Sequence, residues 1–70
     1  MPEIIEVVES PRMLRSIEEV LIGYGFDVKV VTSNGHDYNG SASQMDGLEV
    51  IRYVRQEFDP PYTIVLVIKD

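Results

Sequence analysis

The five residues Ile64-Val65-Leu66-Val67-Ile68 constrain this chain more than any other stretch. Aliphatic, mostly β-branched side chains follow one another with no polar residue between them. A strand of that composition has no solvent-facing side. It reads as a central strand covered on both faces, as in parallel sheets flanked by helices. The chain must therefore supply further strands and the helices that connect them.

The segments upstream do so in alternation. Residues 3–9, EIIEVVE, carry two β-branched pairs, Ile4-Ile5 and Val7-Val8, and read as a strand. Ser10 is a good helix N-cap, and Pro11 at the first helical position loses no hydrogen bond that it would have made. Met13, Leu14, Ile17, Val20, Leu21 and Tyr24 then fall on one face at helical spacing. Gly23-Tyr24-Gly25 ends that helix, because glycine takes the left-handed C-terminal conformation. Residues 26–32, FDVKVVT, read as a second strand. The second helix starts at Asp46, where Asp46 and Glu49 form a D-x-x-E capping signal. Leu48, Ile51, Val54 and Phe58 form its expected buried stripe, widened by Val50 and Tyr53. Asp59-Pro60-Pro61 stops it, and residues 62–70 are the last strand.

Residues 33–45 stand apart. They are rich in Ser, Asn and Gly and read as a polar link. Asn34-Gly35 is a tight-turn signal, so residues 36–42 could also return as a strand. The order β-α-β-link-α-β predicts an α/β domain covering residues 1–70. Its simplest form is a three-stranded parallel sheet in the order 2-1-3, with right-handed crossovers and one helix on each face. The alternative is a ferredoxin-like β-α-β-β-α-β arrangement that uses residues 36–42 as a strand.

Seventy residues allow one small domain with a thin core. With no cysteine and only His36, neither disulfides nor a zinc site is expected, and no cofactor is implied. The net charge of −6 disfavours nucleic acid and anionic membrane surfaces. The N-terminus MPEIIEVVE lacks the basic start of a secretory leader, and the longest apolar run is too short to span a bilayer. A cytoplasmic location is the expectation.

Three segments together resemble the receiver domain of bacterial response regulators. VVESPRMLRSIEEVLIGYGFDVKVVTSNG is similar to that family's first strand, first helix and second strand. QMDGLEVIRYVR is similar to the stretch after its phospho-accepting aspartate, and PPYTIVLVIKD to its fourth strand. The resemblance implies a flavodoxin-like sheet, shortened where a helix and most of a strand give way to the polar link. It also implies a degenerate phosphorylation site. The family's acidic pair falls on Val8 and Glu9, its phospho-accepting aspartate on Asn39, and its switch hydroxyl residue on Val67. An amide cannot form an acyl phosphate, and valine offers no hydroxyl. The valines and the YNGSAS link give the pattern of a trimmed or engineered derivative.

Phosphoryl transfer to a carboxylate needs a nucleophilic acid, a metal and a cation for the developing charge. The strand C-terminal ends offer Glu9, which reads as a solvated acid with a residual metal ligand as the alternative, then Asp70, and otherwise aliphatic residues. Asp46 is explained as an N-cap. His36 beside Asp37 has the composition of an acid–base pair, yet no motif places a nucleophile near it. Asn39-Gly40-Ser41 matches the N-glycosylation pattern and, with no leader, reads as loop. The helix arginines Arg12, Arg15, Arg52 and Arg55 lie among acids as ordinary exposed pairs. No enzyme is expected. The expected role is a structural, self-associating or protein-binding module, with sheet edges or a swapped last α-β unit joining copies. The competing expectation is a signalling receiver that still binds Mg²⁺ or a partner kinase.

Overall fold

The computed structural model describes residues 1–32 and 43–68. Among them the element order is β1 (Glu3–Val7), α1 (Pro11–Gly23), β2 (Asp27–Thr32), β3 (Ser43–Met45), α2 (Gly47–Glu57) and β4 (Thr63–Ile68). The sheet has four strands in the order β2-β4-β1-β3, and every neighbouring pair is parallel.

The α/β class expected from the alternation of elements is present, and β4 is central as its composition requires. The three-stranded 2-1-3 order is not what forms. β4 inserts between β1 and β2, and a fourth strand, β3, lies along the outer side of β1. β3 falls at the end of the expected polar link. Its residues Ser43-Gln44-Met45 have little strand propensity and are recruited by ladder bonds to Ile5–Val7. The all-parallel ladder also differs from a ferredoxin-like sheet, whose hairpin pairs strands antiparallel. The Asn34-Gly35 turn and the strand at 36–42 that this alternative needs lie outside the described residues.

The order fixes where the helices go. From β1 to β2 the chain crosses two positions toward one edge, and from β3 to β4 it crosses two positions in the same direction. Right-handed crossovers in one direction put their helices on one face. α1 and α2 accordingly pack against each other on a single face, where one helix per face was expected. Ile5 and Val7 of β1, Ile64 and Leu66 of β4, Leu14, Ile17 and Leu21 of α1, and Val50 and Val54 of α2 form one core with Phe26. Val67 is fully buried too, on the opposite side of β4 by strand alternation.

Local signals hold where they are backbone signals. Ser10 Oγ accepts a hydrogen bond from the Met13 amide at 3.2 Å, and Pro11 opens α1. α1 closes through Tyr24 and Gly25. The Gly25 amide donates to the Ile22 carbonyl at 2.9 Å and the Phe26 amide to the Leu21 carbonyl at 3.1 Å, which is a Schellman closure. Gly25 has φ +98°, so the left-handed residue is the second glycine of the Gly-Tyr-Gly signal.

Tyr53 of α2 donates its hydroxyl to Glu3 Oε2 at 2.6 Å, joining α2 to the start of β1. That bond and the burial of the ring push the Tyr53 hydroxyl up to about 12. A raised value means the protonated form stabilises the fold. The contribution is therefore fully present below the unfolded-state value near 10 and is lost as pH rises toward about 12. Urea denaturation of wild type and Tyr53→Phe should differ by about 1 kcal/mol at pH 9. The gap should narrow steadily between pH 10 and pH 12. A pH-independent gap would mean the hydroxyl contributes through packing alone.

Candidate functional site

In open parallel sheets the strand C-terminal ends are the usual ligand sites. Here that edge brings Val8 and Glu9 beside Met45 and Asp46, because β1 and β3 are neighbours. The Val8 amide donates to the Met45 carbonyl at 2.9 Å. A shallow depression of about 200 Å³ is lined by Glu6, Val7, Val8, Glu9 and Gln44. Its polar side chains are already paired. The Gln44 amide donates to Glu6 Oε1 at 2.7 Å.

The acids at this edge converge on the first turn of α2. Asp46 Oδ1 accepts from the Glu49 amide at 3.0 Å, and Glu49 Oε1 accepts from the Asp46 amide at 3.2 Å, completing the capping box. Glu9 Oε2 accepts from the Gly47 amide at 3.0 Å. Helix N-termini leave amides without intrahelical partners, and these carboxylates take them up while opposing the helix dipole. Gly47 is what lets Ile17 of α1 pack against the start of α2. A Cβ at that position would lie 3.0 Å from Ile17 Cδ1 and 3.4 Å from Glu9 Oε2. Glu9 is half-buried and bonded, where a solvated acid was expected.

The other positions are spread out. Val67 lies fully buried within β4. Asn39, His36, Asp37 and Asp70 lie outside the described residues. Among the described residues, no group of three His, Asp or Glu side chains is placed to hold a metal ion, and no helix is long and apolar enough to cross a membrane.

A second surface was not legible as a site. Between α1 and α2 runs a groove of about 480 Å³, lined by Glu9, Met13, Ser16, Ile17, Val20, Gly47, Leu48 and Ile51. Leu48 is 77% exposed, Met13 47% and Val20 40%. All three belonged to the expected buried stripes. The core takes Leu14, Ile17 and Leu21 from α1, and Val50 and Val54 from α2, packs Ile51, Tyr53 and Phe58 against its margin, and leaves Met13, Val20 and Leu48 exposed. The signal was present in the width of the α1 stripe. Six apolar residues are more than one helix can press against a small sheet. Toward the C-terminal ends of the two helices the Arg55 guanidinium stacks 4.2 Å from the centre of the Tyr24 ring.

No family model, curated protein or solved structure matches this chain.

Proposed function

We propose that this chain is a non-catalytic, receiver-like module that acts by self-association or protein binding, with the interhelical groove as its contact surface. The observation that carries the reading is Leu48. A leucine 77% exposed beside Met13, Val20 and Ile51, on paired helices, forms a contiguous apolar surface of the kind that marks interaction sites. At the sheet edge, Glu9 and Asp46 serve α2 as caps, which supports a phosphorylation-incompetent reading. The receiver kinship rests on the three sequence segments alone, because the β2-β4-β1-β3 order separates β1 from β2 and is not the flavodoxin-like order. The binding role does not depend on it.

The alternative, a receiver that retains Mg²⁺, draws on the nearness of Glu9 and Asp46 at the ends of adjacent strands. A ¹⁵N amide spectrum recorded with and without Mg²⁺ and beryllofluoride separates the two. The amides of Val8, Glu9, Asp46 and Gly47 are expected to stay in place. Saturable shifts confined to them would overturn the non-catalytic reading and favour the receiver.

A further inference from the structure

We infer that the occupant of the interhelical groove is a second copy of this chain, docked by an antiparallel two-fold pairing of α1. The inference rests on the groove being a binding surface and adds what binds there.

The charge distribution favours a like partner. The whole chain carries −6, so two copies repel wherever their acidic surfaces meet. The helices are the exception. α1 carries Arg12 and Arg15 against Glu18 and Glu19, and α2 carries Arg52 and Arg55 against Glu49 and Glu57. Each helix is neutral, and the acidic excess lies elsewhere in the chain. The helical face is thus where a second copy meets less repulsion, and it carries the exposed Met13, Val20 and Leu48.

The pattern on α1 is self-complementary. Arg12, Ser16, Glu19 and Gly23 recur at helical spacing along its outward side, and all four are exposed. Met13 and Val20 run beside them at the groove. A two-fold axis near Ser16, running antiparallel copies of α1 past each other, sets Arg12 against the partner's Glu19. The same operation sets Glu19 against the partner's Arg12, as an isologous contact requires. It also brings Met13 toward the partner's Val20. Ser16 at the crossing is small enough for close helix approach. Stable pairing takes about 800 Å² from each partner, more than α1 alone can give, so Leu48 and Ile51 of α2 must join the contact. The result is a layer of four helices between two sheets.

Sedimentation velocity of the full chain from 10 μM to 1 mM tests this. Wild type is expected to shift from monomer to dimer across that range. Leu48→Glu leaves the core untouched and should weaken dimerisation at least about 100-fold, because it buries a charge in the apolar part of the contact that α2 supplies. Arg12→Glu and Glu19→Arg should each weaken it about 3- to 10-fold. Arg12→Glu/Glu19→Arg together should return it to within about threefold of wild type, since the swapped charges meet again. Far-UV circular dichroism confirms that each variant folds, and the exposed Arg12 and Glu19 keep the test open even if Leu48→Glu misfolds. A wild-type monomer at 1 mM would overturn the second-copy inference and leave the groove to a different partner. A dimer indifferent to Leu48→Glu would also overturn it and move the contact to the exposed edge of β2. Single charge variants that weaken the dimer without recovery in the double variant would overturn the antiparallel α1 pairing. None of these outcomes moves the Val8, Glu9 and Gly47 amides on Mg²⁺ addition, so a failure here is distinct from a failure of the non-catalytic reading.

Discussion

Leu66→Ala is expected to destabilise the fold by about 3–4 kcal/mol. Leu66 is fully buried at the centre of β4, the strand that β1 and β2 both pair with. Its side chain is on the helix side, in one cluster with Ile5, Leu14, Ile17, Leu21, Val50 and Val54. Truncation removes the transfer free energy of three carbons and leaves a cavity in a core with little freedom to collapse, because four elements line it. A domain of this size holds only about 5 kcal/mol in total, so the variant should keep about 1–2 kcal/mol and be about 3–15% unfolded near room temperature. Ile22→Ala is the matched control. Ile22 is 51% exposed on α1, and alanine is a better helix former, so the change should stay within about 0.5 kcal/mol. Urea denaturation at low micromolar concentration measures both. Similar losses for the two variants would mean that β4 is not the centre of the core.

Parts of this architecture are written locally in the chain. Ser10-Pro11 and the Asp46–Glu49 box act through backbone groups within one turn, so their identity and spacing suffice to place the helix starts. The run from Ile64 to Ile68 demands a central strand wherever the others go. Strand order is different in kind. It depends on which hydrophobic faces meet across the whole chain, and β1 offers the same Ile5 and Val7 to β2 or to β4. β3 was illegible for a related reason. Its three residues carry no apolar alternation, and the strand exists because the edge of β1 presents unpaired backbone groups. Once β4 separates β1 from β2, both helices share one face. They then compete for one sheet surface, and Met13, Val20 and Leu48 are left outside. The role of Glu9 was illegible in the same way. Glu9 is legible as a strand-end acid. Its bond to Gly47 depends on β3 bringing α2 beside β1, which no local signal announces.

Two glycines two residues apart should respond in opposite directions, and the difference tests the helix closure that orients β2. Gly23 ends α1 with nothing within 4 Å of where a Cβ would stand. Gly23→Ala should therefore stabilise by about 0.5–1 kcal/mol, by lowering the entropy of the unfolded chain and favouring helix. Gly25 is the left-handed residue of the Schellman closure, with φ +98° and a would-be Cβ 3.2 Å from Pro60 Cβ. Gly25→Val places a β-branched side chain where such residues are strained, and presses it against the Pro60 ring that begins the turn into β4. The closure cannot relax freely, because the Phe26 amide is tied to Leu21 and the Phe26 side chain is in the core. A loss of about 2–3 kcal/mol is expected, with a lowered midpoint in urea and an unchanged slope. The slope matters, since an unchanged value means that the same surface is still buried and only the turn is strained. If Gly25→Val were as well tolerated as Gly23→Ala, α1 would have to end one turn earlier or later. β2 would then lose the register that sets Asp27 against Thr63 and Val28 against Ile64.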